Sequence, residues 1–444
     1  MGALEVSPSG PLEVVPSGPL AGSLAAPPSK SMTNRLLAIA ALASGTTGIV
    51  GPLVSDDTEA MSGGIAAIGC PVDRGDGAGV WSVAGADGRP RVPGGHQVLD
   101  ARQSGTTLRF MAALAALAEG TVVLDGAPGL RRRPIEPLLH ALEALGAFVE
   151  SDGGRPPVTV ISAGLAGGEA QVDAAQSSQF ATALLLVAPY ANSDVTLEVH
   201  NLGAGGYVDL TIEAMTRFGA SVEHRGDGRI RVRAGDGYRG RREPVGYDAS
   251  AAAHLWALAA ATGGEVAVDN AEESLQPDAR ILDHLAAMGA VVRRGGPGMG
   301  GAGGGVSVRG PSVLSPIEAD LSEMPDQLPT LAVLAALAPG LSRLSGLGVA
   351  RGHETDRLYV VALELSRLGV DVETGADWIE ISGGRSLSGA VVETHGDHRM
   401  AMAFAALGAA APGVTIGDPA CVAKTYPGFF DDAVSLGLRL RPSS

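Results

Sequence analysis

Cysteine is scarce: Cys70 and Cys421 are the only two in 444 residues. Two thiols make no disulfide framework and no Cys/His cluster with zinc spacing, and they fit a reducing compartment. Aromatic residues are 4% of the chain and the formal net charge is −16. A basic stripe with interleaved rings is therefore missing, which excludes nucleic acid as a partner. No apolar run reaches the ~18 residues of a membrane helix, so no membrane association is expected. The opening Met1-Gly-Ala-Leu-Glu5 has no basic signal-peptide segment, and a cytoplasmic protein is expected. Lysine is scarcest of all. Of 32 basic residues only Lys30 and Lys424 are lysine, each in a polar segment, which marks both for a task needing a compact ammonium.

What is present is repetition. An apolar helical segment ending in Gly and followed by an alternating tail occurs as Ile65-Ala-Ala-Ile-Gly69, Leu142-Glu-Ala-Leu-Gly146 and Met215-Thr-Arg-Phe-Gly219. It returns as Leu285-Ala-Ala-Met-Gly289, Leu365-Ser-Arg-Leu-Gly369 and Ala433-Val-Ser-Leu-Gly437. The glycines are 77, 73, 70, 80 and 68 residues apart. Gly tolerates the left-handed conformation that ends a helix, so each copy predicts helix, Gly, strand.

A second series keeps phase with the first. Polar clusters precede Ala/Leu-rich helices at Ser29-Lys30-Ser31, Ser104-Gly105-Thr106, Ser177-Ser178-Gln179, Asp248-Ala-Ser250, Pro325-Asp326-Gln327 and Asp397-His398-Arg399. These are N-cap signals. The chain is predicted to be α/β, built from six units of about seventy residues, three on each side of a crossing at Arg239–Pro244, with Pro16–Gly22 as a further crossing. The Gly-rich stretches Gly75–Gly95 and Arg294–Gly305 read as loops inside units. Leu4–Leu12 is echoed by Leu12–Leu20, which makes the first copy a dispensable tail.

Capping does not require the Lys and Arg found in these first turns, and cations there oppose the helix dipole. Helix starts with added cations form anion sites. Lys30, Arg35, Arg109, Arg133, Arg357, Arg399 and Lys424 would together suit a multiply anionic substrate. Asp326 and Glu354 are carboxylates set among charges, as acid–base work needs, although a cap and a surface ion pair are equally open readings for them. His353 and His398 have no i, i+4 partner for a metal. No Walker A, dinucleotide fingerprint or Gly-x-Ser-x-Gly elbow is present, so phosphate binding is expected of the substrate and not of a nucleotide cofactor.

Seven segments in order, Pro28-Ser-Lys-Ser-Met-Thr-Asn-Arg35, Ser104-Gly-Thr-Thr-Leu-Arg109, Arg133-Pro-Ile, Ser177-Ser-Gln-Phe-Ala-Thr-Ala183, His353-Glu-Thr-Asp-Arg357, Asp397-His-Arg-Met-Ala-Met402 and Lys424-Thr-Tyr-Pro427, resemble the 5-enolpyruvylshikimate-3-phosphate synthase family across nearly the whole chain. The resemblance implies a two-domain inside-out α/β barrel of six βαβαββ repeats, three per domain. One lobe would span 23–241, the other 1–22 plus 242–444, with the active site in the cleft between them. It implies transfer of the enolpyruvyl group of phosphoenolpyruvate to the 5-hydroxyl of shikimate 3-phosphate with release of phosphate, in a monomer without metal or other cofactor. Competition by glyphosate near Gly105 is implied too.

By the same resemblance, shikimate 3-phosphate falls to Lys30, Ser31, Arg35, Ser177, Ser178, Gln179, Asp326 and His353. Phosphoenolpyruvate falls to Lys30, Gly105, Arg133, Gln179, Arg357, Arg399 and Lys424. Asp326 is the implied base, Glu354 the implied acid, and Lys30 touches both substrates. Three positions depart from the family pattern: Gln103 stands where many members have Asn, His353 where many have Lys, and Ala204 where a phosphate-binding Ser is usual. A related enolpyruvyl transferase with another acceptor, UDP-N-acetylglucosamine or a specialised metabolite, is the nearest alternative. A catalytically silent scaffold on the same repeats is the other.

Overall fold

The computed structural model describes residues 10–75, 79–162, 164–225, 228–295 and 304–443. The six glycines that set the repeat all have positive φ, from 84° at Gly369 to 107° at Gly437. At each, the residue after Gly donates its N–H five residues back, as in Cys70→Ile65, Ala147→Leu142 and Ala220→Met215. The same bond recurs in Ala290→Leu285, Val370→Leu365 and Leu438→Ala433. These are Schellman closures, which satisfy helix carbonyls that would otherwise lack partners.

The described residues hold six four-stranded sheets, three built within one contiguous repeat and three completed by a strand from a distant segment. In one, Gly168–Asp173 runs parallel to Val195–His200, which pairs antiparallel with Arg229–Val232, itself antiparallel to Val222–His224. In chain order the strands lie first, second, fourth, third in four of the sheets; in the other two Arg242–Pro244 fills the first place and Leu12–Val15 the place of the fourth strand. Inward residues alternate with outward ones along the strands: Val195 and Leu197 are fully buried while Thr196 and Glu198 are not. A parallel pair needs a crossover, and in four sheets the crossover is the helix that starts with the polar cluster; the pairs made by Ala21–Leu24 and Arg242–Pro244 are joined through long stretches of chain instead.

The chain forms two compact units, Pro28–Val245 and Met1–Pro27 with Gly246–Ser444. The crossings fall a few residues beyond the boundaries at 22/23 and 241/242 expected from sequence. Strand pairing explains this: Ala21–Leu24 is the parallel first strand beside Glu265–Val268, and Arg242–Pro244 lies parallel beside Gly48–Val50. Arg239–Pro244 is thus partly a strand and not a free crossing. Leu12–Val15 completes the sheet of Val414–Ile416 and Arg439–Pro442. The expected loop at Gly75–Gly95 is corrected as well, because Val80–Ala84 and the start of Arg91–Asp100 are strands within it. Most of the presumed tail and of the Gly-rich stretch 294–305 lies outside the described residues.

The crossover helices are buried nearly all round, and every residue of Gly105–Ala115 is buried. In the first unit Gly105–Ala115 packs against Lys30–Leu42 and Gln179–Val187, and in the second Ala249–Thr262, Leu328–Leu337 and His398–Ala410 pack on one another. Sheets outside and helices inside give each unit one core. The polar residues of such a helix gather toward its start.

Candidate active site

In the Pro28–Val245 unit the site residues stand at three helix starts. Ser29 accepts from Met32 N at 3.2 Å and Ser104 from Thr107 N at 3.2 Å. These caps fix where Lys30 and Gly105 begin their helices. Lys30 Nζ lies 3.3 Å from Asp57, a nearly buried carboxylate. Thr107 Oγ1 donates to the Asp57 carbonyl at 3.3 Å, which ties that carboxylate's helix to the next start. Gly105 is a matter of space. A Cβ there would stand 2.8 Å from Arg133 Nη1 and 3.1 Å from Arg109 Nη1, so its absence admits two guanidiniums to the helix N-terminus.

Arg109 donates to Gln179 Oε1 at 2.6 Å and lies over the Phe180 ring. Ser177 Oγ accepts from Gln179 N at 3.3 Å, whereas Ser178 makes no capping bond. Arg131, in the same run as Arg133, is an exposed partner of Asp125, while Arg133 is half-buried beside Gly105. Arg35 is buried, and its Nε, Nη1 and Nη2 donate to Thr211 Oγ1, the Ser31 carbonyl and the Tyr207 carbonyl at 2.8, 2.9 and 2.9 Å. Burial brings its pKa down to about 10. One N–H on each terminal nitrogen is left for an anion.

The other unit gathers Asp326, His353, Glu354, Arg357, Arg399 and Lys424 around one guanidinium. Arg357 is 1% exposed and pairs with Asp326, with Glu354 at 2.6 Å and with the buried Asp397 at 2.6 Å. Asp326 accepts a second charged bond from Arg399 at 2.8 Å, and Glu354 one from Lys424 at 2.8 Å. His353 Nδ1 lies 2.9 Å from Arg357 Nη1 and 3.2 Å from Asp326 Oδ1. The neutral ring accepts from the first; the protonated ring donates to the second.

Burial works against the charge of Asp326, but Arg399 and then Arg357 outweigh it and hold the carboxyl well below the usual range. Burial also opposes the charge of Arg357, and Asp397, Glu354 and Asp326 more than restore it. Asp326 caps nothing. It sits in a 3-10 turn, Pro325–Gln327, ahead of the helix Leu328–Leu337. Glu354 is no loose surface partner, being 18% exposed between two cations.

Sequence reasoning gave no role to Asp57 and no counter-ion role to Asp397. Asp397 was visible only as the cap it also is, accepting from Arg399 N at 3.0 Å. Ala204, where a phosphate-binding hydroxyl was expected, has φ 52° just before the helix Gly206–Arg217. Among the described residues no His, Cys, Asp and Glu side chains cluster as metal ligands, and no helix is long and apolar enough to cross a membrane.

Residues 14–433 match the family model described as EPSP synthase (3-phosphoshikimate 1-carboxyvinyltransferase). The protein of that name from Methanoculleus marisnigri is 42% identical over 422 residues, 93% of this chain and 96% of its own. Those from Syntrophobacter fumaroxidans and Nostoc punctiforme are 41% and 38% identical, over 92% and 91% of this chain and 95% and 93% of theirs. A solved EPSP synthase from Acinetobacter baumannii superposes with a TM-score of 0.82 at 25% identity, covering 98% of this chain and all of that one. Sheet order, capped helix starts and full-length similarity converge, and the chain belongs to the EPSP synthase, or 3-phosphoshikimate 1-carboxyvinyltransferase, family.

Proposed function

We propose that this member of the family transfers the enolpyruvyl group of phosphoenolpyruvate to the 5-hydroxyl of shikimate 3-phosphate, with Asp326 as base and Glu354 as acid. The observation that carries the assignment is the charge network on Arg357, where both carboxylates meet the cations that an anionic substrate would claim. Each unit supplies part of the machinery. Lys30, Ser31, Arg35, Ser177, Ser178 and Gln179, with Asp326 and His353, hold shikimate 3-phosphate. Lys30, Gly105, Arg133, Gln179, Arg357, Arg399 and Lys424 hold phosphoenolpyruvate.

The network supports a substrate-triggered base. A carboxylate held low by Arg399 and Arg357 is a weak base. When the phosphoenolpyruvate anion claims those guanidiniums, Asp326 loses its two strongest stabilisers and becomes able to take the 5-hydroxyl proton. Oxygen then bonds to C2 while Glu354 delivers a proton to the methylene carbon, forming a tetrahedral adduct. Withdrawal of Arg357 and Lys424 toward substrate is also what lets Glu354 carry that proton. Elimination returns a methyl proton to Glu354, regenerating the methylene, and expels phosphate, which takes up the proton held by Asp326 and is stabilised by the lysines and guanidiniums. Clamping both reactants supplies proximity.

A cytoplasmic location belongs to this reading, supported by two cysteines outside any disulfide; so does a monomer, whose mass light scattering tests. Phosphate release from phosphoenolpyruvate and shikimate 3-phosphate, with chelator present, tests the reaction. Lys30→Met and Glu354→Ala should abolish turnover with far-UV dichroism intact. Release only with UDP-N-acetylglucosamine would replace the acceptor, and no release with any acceptor would leave a scaffold.

A further inference from the structure

A carboxylate with no part in the chemistry above lies beneath the proposed base. Asp278 is fully buried in the 3-10 turn Pro277–Arg280. Its Oδ1 accepts from Gln327 Nε2 at 2.6 Å, and Gln327 is fully buried too. Gln327 directly follows Asp326 and closes the same turn, its own N–H bonded to the Met324 carbonyl at 3.0 Å. Although it stands at the N-cap of Leu328–Leu337, its side chain does not cap that helix. It turns inward to Asp278. Pro325 fixes one φ of the turn and the Gln327 anchor fixes the other end, which leaves the Asp326 carboxylate little freedom between Arg357 and Arg399.

Burying a carboxylate is costly unless it is well hydrogen-bonded, and a short bond to a charged acceptor is among the stronger ones. We propose that Asp278 is a positioning residue for the reaction: through Gln327 it holds the turn that aims Asp326 at the acceptor hydroxyl. This rests on Asp326 being the base. Orientation errors near 1 Å can cost ~10²-fold in rate, so the pair should matter for turnover more than for binding.

The test is steady-state kinetics on purified full-length variants, with folding checked by far-UV dichroism. Asp278→Ala and Gln327→Met, which remove the acceptor and the donor, should lower kcat roughly 10- to 100-fold with KM for both substrates little changed. Asp278→Asn keeps an acceptor oxygen and should restore kcat to within about threefold. The proposal is overturned if a folded Ala or Met variant keeps near-normal kcat, if the loss falls on KM, or if Asn fails to rescue. Should Asp278→Ala not fold, Gln327→Met decides; if neither folds, the pair is purely structural and the proposal fails. Wild-type protein without turnover would overturn the enolpyruvyl reading instead.

Discussion

Arg357 and Asp397 form a closed pair: Nε donates to Oδ2 at 2.6 Å and Nη2 to Oδ1 at 3.3 Å, with side chains 1% and 0% exposed. The same carboxylate caps the helix that carries Arg399. One buried group therefore sets the position of two guanidiniums. It leaves the outer nitrogens of Arg357 facing Asp326 and Glu354.

Asp397→Ala strands a buried guanidinium and removes a cap, and should destabilise the protein by about 3–5 kcal/mol. Urea unfolding followed by dichroism measures it. Asp397→Asn, which keeps a capping oxygen, should lose less.

Acid should act on Asp326 in a definite direction. Its folded pKa is depressed, so its charge stabilises the folded state above the unfolded carboxylate value of about 3.9, and that contribution drains away as pH falls toward the folded value. The stability gap between wild type and Asp326→Asn should be constant from neutral pH down to about 5 and narrow below about 4. Unfolding free energies at a series of pH values check this; a gap that widens in acid would contradict the assigned direction.

Gly105→Ala places a Cβ against Arg133 and Arg109. Both contacts are ends of flexible side chains, so the fold should survive while the guanidiniums are displaced. KM for phosphoenolpyruvate should rise with little change in melting temperature, read by kinetics and a thermal melt.

Ala204 separates two effects. Its left-handed backbone costs about 1–2 kcal/mol for a residue with a Cβ, so Ala204→Gly should stabilise by a fraction of that once the unfolded-chain entropy of Gly is deducted. Ala204→Ser leaves the strain and adds a hydroxyl. It should lower KM for shikimate 3-phosphate by up to roughly tenfold, the worth of one hydrogen bond.

The repeat was legible because a Schellman glycine leaves a mark in the sequence: Gly69, Gly146, Gly219, Gly289, Gly369 and Gly437 are all in the left-handed region. Helix starts were legible where a side chain caps, as at Ser29, Ser104, Asp248 and Asp397. Ser178 and Gln327 stand at N-caps without capping: Ser177 takes the Gln179 N–H instead, and Gln327 turns to Asp278. The counter-ions Asp57 and Asp397 escaped notice because their partners are tens of residues away in the chain, and an ion pair leaves no periodic signature. The strands Ala21–Leu24 and Arg242–Pro244 escaped for a related reason: each is three or four residues long and pairs with a distant segment.

That long-range pairing has a consequence for biosynthesis. The lobe Pro28–Val245 is contiguous and closes when Arg242–Pro244 reaches Gly48–Val50. Leu12–Val15 leaves the ribosome before it, yet must wait for Val414–Ile416 and Arg439–Pro442, a delay of roughly 20–80 s at ordinary translation speeds. Throughout that interval an apolar edge with buried-to-be Leu12 and Val14 is open to wrong partners, which makes Leu12–Val15 a segment that chaperone cover would protect.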